Sequence, residues 1–160
     1  MALDFPTSPS VNDLYTESGR TWRWNGTGWA MLPGPPPDID DWFVIAASDE
    51  STDLATGTKV YFRMPYTGTL LAVRASVNTA PTDANIEVDI YENTGGGPVS
   101  VLSTVLSIDA SGKTSTTAAV PAVISDSALA DDAEITIDID QVGSTIAGKG
   151  LKVYMKVRRG

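Results

Sequence analysis

The residues of this chain that could do chemistry are carboxylates and aromatics. Two acidic pairs stand at i, i+2 spacing, Glu87 with Asp89 and Asp138 with Asp140. That spacing puts both side chains of a pair on one face of a strand. Glycoside hydrolysis uses two carboxylates roughly 5–10 Å apart, one of them held protonated by its surroundings. Such pairs are also ordinary on a solvated sheet face, and nothing near them in sequence points to a cleft, so catalysis is not expected. Asp49, Glu50 and Asp53 in one loop, and Asp131 with Asp132 in another, offer oxygen ligands of the kind calcium takes. Neither loop follows an EF-hand or nonapeptide pattern. Solvated acids are the expectation, with no metal and no cofactor.

The chain has no histidine and no cysteine. Ser-His-Asp and Cys-His catalysis, and zinc, iron–sulfur and blue-copper sites, therefore lose their usual ligands. A formal net charge of −9 disfavours nucleic acid and anionic membrane surfaces as partners. No apolar run approaches the ~18 residues of a membrane span. The first residues have neither the basic start nor the apolar stretch of a secretory signal, so synthesis in a cytoplasm is expected.

The aromatic signal is stronger. Trp22, Trp24 and Trp29 are three of the chain's four tryptophans, and Pro33-Gly34-Pro35-Pro36-Pro37 follows them closely. They would serve either as a sugar-stacking platform or as a self-packed mini-core with an edge for a protein partner. The mini-core is favoured, because so short a segment has little else to bury.

The elements that must position these residues divide the chain into three. Residues 1–32 read as a small β-meander. Leu14 to Thr16 is its first strand, Glu17-Ser18-Gly19 a turn, and Arg20 to Trp24 a second strand with Trp22 and Trp24 on one face. Asn25-Gly26 is a hairpin signal and Trp29 to Leu32 the return. Residues 33–41 read as a Pro-rich linker favouring polyproline II, kept solvated by Asp38, Asp40 and Asp41. Residues 42–160 show about eight turn-punctuated strands, the pattern of an antiparallel β-sandwich, with a jelly roll expected.

Within that sandwich, Ile86, Val88 and Ile90 alternate inward with Glu87, Asp89 and Tyr91 outward. Ile135, Ile137 and Ile139, then Leu151, Val153, Met155 and Val157, complete the predicted core. Val99 to Ile108 reads as a strand pair or one long strand, Ser115 to Val120 as a small-residue strand, and Ser125 to Asp132 as a helical turn. Five of the eleven cationic residues fall in the last twelve positions. If the last two strands are neighbours, Lys152, Lys156 and Arg158 pair with Glu134, Asp138 and Asp140. Docking of that basic face onto an acidic partner is the alternative.

Phe5-Pro6-Thr7-Ser8-Pro9, then Tyr15, then Gly19-Arg20-Thr21-Trp22-Arg23-Trp24-Asn25-Gly26-Thr27-Gly28-Trp29 resembles a short module near the starts of tail-fibre and related virion proteins of tailed bacteriophages. Ile45-Ala46-Ala47-Ser48, Gly68-Thr69-Leu70, Ala133 to Ile139 and Gly148 to Val153 resemble, more loosely, the β-sandwich appendage domains of such proteins. The resemblance implies a non-enzymatic virion structural protein. A long fibre would continue into shaft repeats, so a short appendage is expected: a head fibre, a decoration protein or a tail-fibre type.

It also implies attachment through residues 1–32 to capsid, portal, collar or tail proteins, with Phe5, Tyr15, Trp22, Trp24 and Trp29 as interaction residues. The linker would hold the sandwich roughly 20 Å clear of the particle. A homotrimer is expected, because phage appendages are commonly trimers and the small meander has aromatics to bury. The alternative is a carbohydrate-binding, receptor-recognising module that takes a host surface glycan.

Overall fold

The computed structural model describes residues 4–32 and 39–160. Two compact units divide between Asp38 and Ile39. The proline stretch of the expected linker lies outside the described residues.

The first unit is a three-stranded antiparallel meander of β1 (Leu14–Glu17), β2 (Arg20–Trp24) and β3 (Trp29–Met31), in the order β1-β2-β3. Ser18 and Gly19 both have positive φ, 50° and 74°. Their left-handed turn matches the twist of the flanking strands and fixes Tyr15 opposite Trp22. The second turn places Trp24 opposite Trp29. The Asn25 carboxamide oxygen closes it by accepting from the Thr27 and Gly28 amides at 2.9 and 2.8 Å.

The second unit is a sandwich of two antiparallel sheets. One has the order β12-β6-β14-β4, from β12 (Ala128–Leu129), β6 (Gly68–Ser76), β14 (Lys152–Arg159) and β4 (Asp40–Ala46). The other has the order β10-β7-β13-β5, from β10 (Leu106–Ile108), β7 (Ile86–Asn93), β13 (Glu134–Gln141) and β5 (Gly57–Arg63), with β8 (Val99–Ser100) also pairing β7. The short strands β9 (Leu102–Thr104) and β11 (Val123–Ile124) pair separately. Ile86, Val88, Ile90, Ile135, Ile137 and Ile139 from one sheet and Leu70, Val153, Met155 and Val157 from the other share one buried core, as the alternation predicts. At one side of the sandwich, Phe43 of β4 stacks on Phe62 of β5, ring centroids 6.3 Å apart. The two edge strands therefore lie one above the other.

Several expectations are corrected. The sandwich begins two residues inside the expected linker, because Asp40 and Asp41 are strand residues paired to Arg158 and Val157 of β14. Val99 to Ile108 runs antiparallel beside β7 at both ends but is broken into three short pieces, β8, β9 and β10. At the break between β8 and β9 the Ser100 hydroxyl donates to the Leu102 carbonyl and accepts from its amide. Ser115 to Val120 is not a strand. Ser115–Thr117 form a 3-10 turn whose first free amide, that of Thr116, is taken by the Thr114 side chain. No helical turn forms over Ser125 to Asp132. Ala128 and Leu129 instead pair with Thr69 and Gly68. Finally, β13 and β14 are in different sheets, so their charges do not pair with each other.

Candidate functional site

In the meander, the aromatic residues singled out in the sequence converge. The Phe5 ring lies parallel to Trp29 at 5.3 Å, edge-on to Trp22 at 5.5 Å, and 5.1 Å from Tyr15. Tyr15 reaches both Trp22 and Trp29, and Trp24 packs on Trp29 at 5.7 Å. Strand pairing brings Tyr15, Trp22, Trp24 and Trp29 to one face, and the segment before β1, which turns at Asn12, places Phe5 against it. Trp22 is only 7% exposed, while Phe5, Tyr15, Trp24 and Trp29 are half-buried. The cluster is a packed mini-core with a partly open rim rather than a flat stacking platform. The Tyr15 hydroxyl donates to Glu17 at 2.7 Å, and that bond raises its pKa.

The two acidic pairs also come together. β7 and β13 are neighbours, and Asp138 lies directly opposite Asp89. Asp89 is not outward as expected. It is 5% exposed, and its Oδ1 accepts from the Ser100 hydroxyl at 2.8 Å and the Ile90 amide at 2.7 Å. β8 covers what the alternation treats as a solvated face. Asp138 Oδ1 is buried without a hydrogen-bond partner. Burial, then the negative charges of Asp89, Asp138 and Glu87, raise the pKa of Asp140. Tyr91 is raised for the same reasons, burial first and then Asp89. Of these four acids, Asp138 alone borders the adjoining depression of about 220 Å³ along Thr58, Tyr61 and Tyr91.

The loop acids have other partners. Asp49 accepts from the amides of Thr52 and Ser51 at 2.6 and 2.7 Å, and these bonds hold its carboxyl well below the usual range. Glu50 binds Lys152, and Asp53 lies 3.3 Å from Lys149. Among the described residues no group of three or more acids is arranged to hold a metal ion. The basic end of the chain is likewise engaged within the sandwich. Asp40 takes Arg158 at 2.9 Å and Lys156 at 2.7 Å, and Asp41 takes Arg159 at 2.7 Å. Those bonds, Arg158 first, depress the Asp40 pKa, while the Tyr66 hydroxyl and then Arg159 depress that of Asp41.

One feature was not singled out in the sequence. Trp42, Arg74, Ser76, Thr114, Thr116 and Tyr154 line a groove of about 450 Å³ on the outer face of the β6-β14-β4 sheet. Trp42 is 46% exposed, and the Arg74 guanidinium carbon sits 5.4 Å from its ring centre. Trp42 to Ala46 is apolar throughout, so its sequence does not reveal that Trp42 and Val44 point outward. The available signal was Arg74, the one charge inside Leu70 to Val77.

No known protein family, curated protein or solved structure matches this chain. Among the described residues no helix is long and apolar enough to cross a membrane.

Proposed function

We propose that this chain is a non-enzymatic structural protein of a tailed-phage particle, a short appendage that attaches through its N-terminal unit and displays its β-sandwich. The observation that carries the reading is the first unit itself. About thirty residues fold as a separate compact body around five aromatics, and their motif is the one that resembles virion modules. A body so small has a marginal core. Its half-buried Trp24, Trp29 and Tyr15 therefore gain from a protein partner covering their rim.

The strand order supports a jelly roll. Counting β8 to β10 as one strand and leaving out β11, the sandwich strands run first-eighth-third-sixth in one sheet and second-seventh-fourth-fifth in the other. Two interleaved Greek keys give that order. A homotrimer fits the open edges of β4 and β5, which lie together at one side and carry the exposed Val44 and Tyr61.

Mass spectrometry of purified particles of the encoding phage tests the reading. The chain is expected among the virion proteins. Its absence from intact particles, or turnover of a substrate by the purified protein, overturns the proposal.

A further inference from the structure

We infer that the Trp42–Arg74 groove is a binding site for a carboxylate-bearing sugar, such as a uronate or sialate residue of a surface glycan. The site belongs to the sandwich alone, and it stands or falls independently of particle attachment.

The sheet register builds the groove. Tyr154 on β14 is flanked by Val44 on β4 and Arg74 on β6, and Lys156 is opposite Trp42. Tyr154 therefore lies on the central strand, with Arg74 beside it on β6 and Trp42 two residues along on β4, and the Arg74 guanidinium reaches over the Trp42 ring. Across the groove, Thr114 is bridged to Ser76, and the Ser115 hydroxyl accepts from the Ala75 amide at 2.8 Å. These bonds fix the 3-10 turn against the sheet and set Thr114 and Thr116 on the rim. The wall is held before any ligand arrives, which lowers the ordering cost of binding.

The chemistry is specific. The sandwich has one tryptophan, and it is nearly half open to solvent rather than buried. Arg74 covers part of the Trp42 ring, and the indole surface left exposed packs against the C–H face of a pyranose, while hydroxyls around it serve the sugar's polar edge. Ser76, Thr114, Thr116 and Tyr154 are those hydroxyls, and the Tyr154 and Ser76 oxygens lie 3.1 Å apart.

Arg74 selects for charge. Of the sandwich's four arginines, Arg63, Arg158 and Arg159 each bond a carboxylate. Arg74 has no carboxylate partner among the described residues, although acids outnumber bases 20 to 11 in the chain. Lys152 and Lys156 on the same face are bound to Glu50 and Asp40. Arg74 thus holds its planar fork of donors over the Trp42 ring, and such a fork can grip a carboxylate through two parallel bonds.

The test is titration calorimetry of the full chain with tetragalacturonate, its methyl ester, 3′-sialyllactose, lactose and acetylated tetraglutamate. The Trp42 indole resonance of the unmutated protein reports where binding occurs. Saturable binding of at least one acidic sugar is expected, with a shift of that resonance. The neutral counterpart and the peptide should bind at least about tenfold more weakly. Arg74→Gln should erase the preference for charge, and Trp42→Ala should weaken every sugar. The inference is overturned if neither acidic sugar binds, if the neutral sugar or the peptide binds equally well, or if the Trp42 resonance and both variants leave binding unmoved.

Discussion

The Tyr66 hydroxyl donates to the Asp41 carboxylate at 2.6 Å, and Arg159 grips the same carboxylate while lying 4.4 Å over the Tyr66 ring. The first and last strands of the sandwich are thereby tied to the β5–β6 turn. Asp40 joins the same first and last strands one residue earlier through Lys156 and Arg158. Both carboxyls have depressed pKa values in the fold. Their contribution is present above the unfolded-state pKa and is lost as pH falls through the folded-state values. Asp41→Asn is expected to lower the melting temperature at neutral pH, and the gap to the parent should close in acid. A gap that persists at acid pH would show that the bonds, not the charge, set the effect.

Asp140 has the opposite sign. Its pKa is raised, so its charged form costs stability in the fold at neutral pH, and that cost disappears as pH falls through the raised value. Asp140→Asn should raise the melting temperature at pH 7 by about 2 °C, a modest figure because the group is partly solvated. The difference should shrink as the parent's Asp140 protonates. Thermal melts across pH check both parts.

Ile137 is fully buried at the centre of β13, between β5 and β7. Ile137→Ala should cost about 2–5 kcal/mol by leaving a cavity. Thr136→Ala, one residue away on the half-buried outer face, should cost far less. Chemical denaturation of the two variants measures the contrast.

The two units should melt independently. Trp22→Ala removes the most buried ring of the meander, and a loss of about 3–5 kcal/mol exceeds what so small a core supplies. The meander's amide signals should collapse while those of the sandwich stay in place. Joint loss of both sets would contradict the separation.

Legibility in the sequence followed local contrast. β7, β13 and β14 alternate aliphatic with polar residues, and their inward sets were read directly. The Trp22–Trp29 cluster was also legible, because short hairpins fix which side chains meet. What failed depended on partners far along the chain. Asp40 and Asp41 looked like linker acids because their partners Arg158 and Arg159 lie 118 residues away. Asp89 looked outward because β8 had to be in place before its face was covered. Trp42 was hidden by apolar neighbours that carry no alternation.

In the proposed division of labour, residues 1–32 attach and the sandwich is displayed. The most direct test of that division is co-sedimentation of the full chain and of residues 39–160 with particles that lack the endogenous protein, after circular dichroism has shown the shorter chain to be folded. The full chain is expected to pellet with the particles and the folded sandwich to stay in solution. A sandwich that joins particles as well as the full chain would contradict it.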